Sequence, residues 1–325
     1  MRYYEIVISP SDKTKKSFDP ITFSTLTNTG NVNGAALSMY IDVMQYPFNQ
    51  SRQNGYIKIR GVNFNVLNQT ANFNFAKIKI SVGMSKGLPY ATAAPKPGLI
   101  IDGTILQCFG NWIGTDVSLD LVVGPATYNP NINTNIPFDW GTAETLEQAV
   151  RKSLGVAYPS VPVNGSFSDK LKYTEPQWGT YNNLLEFSKQ VFAYSKQINP
   201  SSSYAGATIT STATGFLLTD GTVAPPKKIN VNFQDIIGNL TWKNVAKIQA
   251  KLVMRSDLNI GDVITFPKGT PALNVINNFS QFRNDISFQG DFVISQIRHN
   301  GDSRQVSSDA WCTIVDAVIK GVAQQ

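Results

Sequence analysis

Apolar and polar residues alternate with a period of two over much of the first 125 positions, with turn-forming clusters between the runs. Ile57 and Ile59 alternate with Lys58 and Arg60; Gly61 then shifts the phase, and Val62, Phe64 and Val66 alternate with Asn63 and Asn65. A phase change at a glycine predicts a bulge or a sharp bend within a strand. After the turn 68–72, Ile78, Ile80 and Val82 alternate with Lys77 and Lys79, and further on Val117, Leu119, Leu121 and Val123 alternate with Ser118, Asp120 and Val122. The pattern predicts half-buried antiparallel strands.

Near residue 140 the period lengthens. Leu146, Ala149, Val150 and Leu154 follow helical spacing, with Thr142 expected as N-cap, Glu147 four residues before Arg151, and Gly155 as the stop. A second helix is expected from Tyr181 to Gln197, ended by Pro200, with a strand over Ser166 to Tyr173 between the two. Past the serine-rich stretch 200–203 the period returns to two, in Ile229, Val231 and Phe233, in Ile248, Ala250, Leu252 and Met254, and in Phe292 and Ile294. Asp257 to Asp262 is expected to turn into the strand that starts at Val263, and Gly238 and Gly261 to occupy turns. The Asn300-Gly301 pair predicts a hairpin tip over 298–302, with Trp311 to Val318 as the return strand. The expected fold is α+β, mainly β: two antiparallel β regions, 1–125 and 201–325, flanking a smaller α+β middle region, 126–200.

The chain of 325 residues is 42% hydrophobic and 15% charged with net charge +6, a balance that excludes a disordered chain. The N-terminal apolar run is short and interrupted by Glu5, which predicts no signal peptide, and no uncharged run reaches the roughly 20 residues of a membrane helix. A soluble protein made in a cytoplasm, with no stable membrane binding, is expected. Cys108 and Cys312, the two cysteines, stand far apart and are expected as buried free thiols.

Catalytic chemistry finds little to work with. His299 is the one histidine. It stands near Asp302 and Ser303, but a triad needs a histidine that bridges the other two, and a turn residue bonded to hairpin backbone is the expectation. Two distant cysteines and one histidine match no zinc spacing. Of the five glutamates, Glu5, Glu144, Glu147, Glu175 and Glu186, three fall on expected helices where solvated ion pairs explain them. Lys58, Arg60, Lys77 and Lys79 could stripe one sheet face, and a solvated or protein-contacting face is the expectation over a nucleic-acid reader. No catalytic, cofactor-binding or metal-binding residue is assigned, no cofactor is expected, and the chain is not expected to be an enzyme.

Several segments, in order, resemble the central hub family of contractile-tail bacteriophage baseplates. They are Leu99-Ile-Ile-Asp-Gly-Thr-Ile105 and Val117-Ser-Leu-Asp-Leu121, then Thr145-Leu-Glu-Gln-Ala-Val150 and Gly179-Thr-Tyr-Asn-Asn-Leu-Leu185. Val231-Asn-Phe-Gln-Asp-Ile-Ile-Gly238, Thr241-Trp242, Asp257-Leu-Asn-Ile-Gly-Asp262 and Ile297-Arg-His299 follow. The resemblance implies a structural homotrimer whose two tube-like antiparallel β-barrel domains per chain, 1–125 and 201–325, adapt a six-fold tail tube protein above to a trimeric spike protein below. It also implies other baseplate proteins as neighbours, and an axial channel passed transiently by tape measure protein and DNA. The implied place is the virion's tail baseplate, assembled in the host bacterial cytoplasm. A β-sandwich module binding carbohydrate or a receptor is the alternative, and aromatics grouped on one exposed loop face would favour it.

Overall fold

A computed structural model describes the chain except residues 13, 15, 48, 50–53, 85–97, 126–134, 160, 174, 202–203, 213–214, 224–226, 245–246, 268–287, 289, 308 and 320–325. The start of the expected middle region at 126 and Ser202 and Ser203 of the expected junction lie outside the described residues.

The first region comprises strands β1 (Arg2–Ser9), β2 (Ile21–Ser24), β3 (Ser38–Gln45) and β4 (Gly55–Arg60), short helices α1 (Phe64–Leu67) and α2 (Thr70–Phe73), and strands β5 (Lys77–Met84), β6 (Gly98–Ile113) and β7 (Asp116–Pro125). The middle comprises β8 (Ile136–Trp140), α3 (Leu146–Ala157), β9 (Val163–Ser166), β10 (Gln177–Tyr181), α4 (Leu184–Ile198), β11 (Thr208–Thr212) and β12 (Gly215–Thr219). The last comprises β13 (Lys228–Asn230), a 3₁₀ turn (Phe233–Asp235), β14 (Thr241–Trp242), β15 (Lys247–Val253), β16 (Val263–Thr265), β17 (Asp291–Asp302) and β18 (Trp311–Ile319). The fold is mainly β with an α+β middle.

The first and last regions share one 13-stranded sheet, in the order β14-β15-β18-β17-β3-β4-β7-β6-β5-β1-β2, with β16 on β17 and β13 on β16. The joint is β17. Its first half pairs β16 and β18, and past a bulge between Ile294 and Gln296 its second half pairs β18 on one side and β3 on the other, from Ile297↔Gln45 to Asp302↔Tyr40. The sheet curls, so that β1 returns to the β17–β18 connection: the Arg2 guanidinium donates to the carbonyls of Asp302 and Ser307, both at 2.8 Å. Trp311 Nε1 likewise donates to the Gly83 carbonyl at 3.0 Å.

Three apolar cores follow from the alternation. One gathers inward residues of β1, β3, β4, β5 and β7, such as Ile6, Ile41, Ile57, Ile80 and Leu121, and takes in Met254 and Trp311 from the far end of the chain. The second packs α3 and α4 on β8 through Leu146, Val150, Phe187 and Val191, and it extends to Ile209, Phe216 and Leu218, past residue 200. The third lies among β15, β17 and β18, around Ile248, Leu252, Ile297 and Val315.

Several local expectations are corrected. Val62 to Val66 is no strand: Asn63 caps α1, its side chain accepting from Val66 N at 2.9 Å. The N-cap of α3 is Thr145, not Thr142, because Thr145 and Gln148 form a reciprocal capping box, and the helix continues through Gly155 to Ala157. The second helix starts after its cap Asn183, since Tyr181 ends β10. The expected strand after Ser166 is reduced to β9 before it and one bridge at Lys172. Phe233 lies in the 3₁₀ turn, exposed. Residues 298–302 are no hairpin tip: they run inside β17, and the chain turns between Asp302 and Trp311. Gly301 serves close packing there, since a Cβ would stand 2.2 Å from the Ala310 carbonyl oxygen. Gly261 does have positive φ, at 90°.

Candidate functional site

Alternation leaves one face of the joined sheet polar, and its charges meet across strands rather than stand free. On β17, Arg298 Nε donates to Asp42 Oδ1 of β3 at 2.7 Å while Nη2 holds Oδ2, a bidentate pair. Four residues on, Asp302 receives Arg60 of β4 at 2.7 Å, and Lys58 stands 3.7 Å from Asp120 of β7. At the other side of the sheet Asp316 of β18 holds Lys243 at 2.9 Å and Lys247 at 3.2 Å. Of the expected basic stripe, Lys58, Arg60 and Lys79 thus each meet a carboxylate, Lys79 at 3.5 Å from Asp102. The face is partly exposed and its cations meet carboxylates, which gives little purchase to a phosphate backbone.

Asp120 organises its part of that face. Burial pushes its carboxyl up, but hydrogen bonds from Tyr56, Asn111 and Ser118 together with Lys58 outweigh burial, and it titrates below the ordinary range. Asp316 shows the same balance: burial raises it, while Lys243, Gln249 and Lys247 bring it below the ordinary value. A less complete cluster sits at the end of β15. Buried Arg255 forks onto Asp257 with two contacts of 2.8 Å, while Asp235, buried 3.7 Å from the same guanidinium, has its carboxyl raised by burial that Arg255 only partly offsets. Sequence reasoning passed over Asp120 and Asp316 because Tyr56 and Lys243 stand far from them in the chain.

His299 lies on the opposite face, in the core. It pairs Val43 of β3 and Thr313 of β18 in register, and Nδ1 is 3.1 Å from Thr313 Oγ1. Nε2 has no partner, and burial alone drives the imidazole from 6.5 to about 4, so the ring is neutral at pH 7. The expected turn residue is therefore a core residue. The alternation of Ile297, His299 and Gly301 against Arg298, Asn300 and Asp302 carried that signal. Asp302 binds Arg60 from the other face, and Ser303 Oγ accepts from Met39 N at 2.9 Å, so the three groups of a triad do not meet. Glu147 is held by Arg151 at 2.7 Å and by Phe167 N at 2.9 Å, a structural use. Cys108 and Cys312 are both free thiols; Cys312 is buried and Cys108 half-buried. Among the described residues no cluster of histidine, cysteine and carboxylate side chains is arranged to hold a metal, and no helix is long and apolar enough to cross a membrane.

Exposed rings stand on separate elements. Trp178 of β10 is 76% exposed, and Phe64 of α1 packs edge-on against Trp112 of β6 with centroids 4.9 Å apart. The α4 aromatics, by contrast, turn inward: Phe187 is buried, and Tyr194 stacks on Phe138 at 5.9 Å and meets Trp140 edge-on at 5.7 Å.

No family model matches the sequence, and no curated protein does either. Solved structures do. The tail protein from Neisseria meningitidis MC58 superposes over 98% of this chain and 98% of its own, at 9% identity and a TM-score of 0.52. The 43 kDa tail protein of prophage MuSo2 from Shewanella oneidensis superposes over 99% of both chains, also at 9% identity, with a TM-score of 0.54. The chain shares the fold of these proteins from end to end.

Proposed function

We propose that this chain is a structural, non-enzymatic protein of a bacteriophage tail, working as the homotrimeric hub that joins the tail tube to the spike in the baseplate. The observation that carries the reading is the likeness of fold to two solved tail proteins over 98% and 99% of each chain. The joined sheet supports it physically. Two β regions built into one sheet give a trimer six similar positions to offer a six-fold tube, without a flexible linker between them. The balanced polar face suits a channel wall along which tape measure protein and DNA pass, because its cations are occupied by carboxylates and hold no phosphate tightly. Phe187 and Tyr194 of α4 pack within the chain and so add nothing to the case for a trimer. The alternative of a carbohydrate- or receptor-binding module has one small group of exposed rings in its favour, Phe64, Phe109 and Trp112, while Trp178 and Phe233 stand on other elements.

Native mass spectrometry of the purified chain tests the reading. A trimer at micromolar concentration, seen as a ring with a central hole by electron microscopy, is expected. A monomer across that range, in the absence of other tail proteins, overturns it.

A further inference from the structure

Charges on the polar face are matched along the strands, and the matching ends where β17 runs out into its turn to β18. Three arginines gather there around one carboxylate. Arg60, at the end of β4, donates through Nη1 to Asp302 Oδ2 at 2.7 Å. Arg304, two residues past Asp302, gives its backbone N to Oδ1 at 2.9 Å and its guanidinium to the Ala36 carbonyl. Arg2 reaches over from β1 to the carbonyls of Asp302 and Ser307, both at 2.8 Å, and to that of Gln305.

Carbonyls orient a guanidinium without cancelling its charge. Among the described residues neither Arg2 nor Arg304 has a carboxylate in salt-bridge contact, so three cations against Asp302 leave a local excess of two. The other acids of these elements do not reduce it. Asp309, at the far end of the turn, is taken by Lys251 at 3.2 Å, Asp42 is taken by Arg298, and alternation sends Glu5 to the face of β1 opposite Arg2. The corner is open to solvent: Arg304 and Gln305 are exposed, Arg60 is part-exposed, and Val306 at the tip of the turn is 98% exposed.

Bonds to the carbonyls of Ala36, Asp302, Gln305 and Ser307 hold two of the guanidiniums in place before any partner arrives, which lowers the entropy lost on binding. Donors left over on such a group fork onto a carboxylate or a phosphate. The surroundings choose between the two. A nucleic-acid backbone has to be neutralised at one phosphate after another, and the cations that continue along the face, Lys58 and Arg298, are held by Asp120 and Asp42. An exposed Val306 beside the arginines offers nothing to a phosphate chain, whereas a protein segment that carries acids next to an apolar side chain meets both. A second copy of the chain, at net charge +6, is repelled.

We propose that the corner formed by Arg2, Arg60 and Arg304 is a docking surface for an acidic segment of another protein. The proposal rests on the reading of the chain as a structural protein that assembles with other tail proteins, and it does not depend on the trimer. Fluorescence anisotropy of a labelled oligo-glutamate peptide ending in leucine, titrated with the full chain at low salt, tests it. Saturable binding is expected. Arg60→Gln/Arg304→Gln weakens it about 10-fold or more, and Arg304→Gln alone, at an exposed position that leaves folding intact, about 3-fold. Lys77→Gln/Lys79→Gln removes the same charge from exposed positions of β5 and weakens it less than about 2-fold. No saturable binding, or an equal loss in the β5 variant, overturns the proposal, as does an oligothymidylate of equal charge that binds more tightly than the peptide. Hydrogen exchange of the parent needs no variant: amides 303–307 are expected to gain protection when the peptide is added, and unchanged exchange there overturns the site. Native mass of the same samples separates the two readings. A trimer that ignores the peptide overturns this proposal alone, and a monomer that binds it at this corner overturns the homotrimer alone.

Discussion

Acid should loosen this protein through His299 as the pH falls from 6.5 to about 4. The ring lies in the core between β3 and β18, and the charged side chains of its own and neighbouring strands, Asp42, Arg298, Asp302 and Asp316, lie on the opposite face. Arg255 reaches Thr313 through its backbone N, while its guanidinium is turned to Asp257 and Asp235. Nothing nearby rewards a proton on the ring, and burial holds the imidazole at about 4 against 6.5 in a free chain. Above pH 6.5 neither state is protonated and no stability is lost. Between 6.5 and about 4 the unfolded chain binds a proton that the folded chain refuses, so stability falls as pH falls, and below about 4 the loss levels off. The full loss is about 3 kcal/mol, of which about 2.5 kcal/mol has gone by pH 4.5. His299→Leu keeps similar bulk, removes the unpartnered Nε2, and leaves Thr313 Oγ1 its bonds to Arg255. At pH 7 the variant should lie within about 1 kcal/mol of the parent. At pH 4.5 it should have gained about 2.5 kcal/mol relative to it. Urea denaturation at half-unit pH steps, followed by tryptophan fluorescence, measures the difference, from which contributions of carboxylates common to both proteins cancel. Parallel pH profiles for parent and variant would refute the reasoning.

Trp311→Ala should cost about 3–5 kcal/mol and speed hydrogen exchange in β1 and β5 as well as β18, because the indole fills the first core and donates to Gly83; faster exchange confined to β18 would contradict that placement. Gly261→Val should cost about 1–3 kcal/mol in thermal or urea unfolding, through backbone strain at φ 90° rather than through a clash, since the nearest side-chain atom to a Cβ there, on Thr219, is 3.6 Å away. An unchanged midpoint would show the turn tolerates a branched side chain.

Strands were legible wherever alternation was long. β5, β7 and β15 each carry several inward apolar residues in phase, and a strand with one buried face has no freedom to slip by one residue. Short runs were ambiguous for a geometric reason. Val62 and Val66 are four apart, so the same five residues satisfy a period of two and one turn of helix, and the capping bond from Asn63 decides for helix. The same competition moved the start of α3 by three residues: Thr142 and Thr145 both suit an N-cap, and only Thr145 has a glutamine at its third helical position to return the bond. The rings Phe187 and Tyr194 of α4 find their partner in Phe138 of β8, about 50 residues earlier, a contact that helical spacing alone does not reveal.

Why the sequence misled most at 298–302 follows from what that segment joins. Asn-Gly favours a tight turn in an isolated hairpin, yet here the glycine is needed because the backbones of β17 and β18 approach too closely for any side chain at 301. Once the turn moves to 303–310, β17 becomes long enough to pair β16 with its first half and β3 with its second, and the two β regions become one sheet. Every bond across the joint is non-local: Arg298 to Asp42, Arg60 to Asp302, Ser303 N to the Met39 carbonyl, Arg2 to the turn's carbonyls. A periodicity argument sees none of these, because each depends on residues some 240 to 300 positions away. They also explain the choice of groups. Charged pairs sit on the partly exposed face, where hydrogen bonds and Arg60 outweigh the desolvation of Asp302, and the core face of the same strand admits one polar ring, His299, in its neutral form. A unit split at residue 200 would therefore strip Met254 and Trp311 from the first core and leave β3 with an unpaired edge, so the two β regions fold as parts of one body.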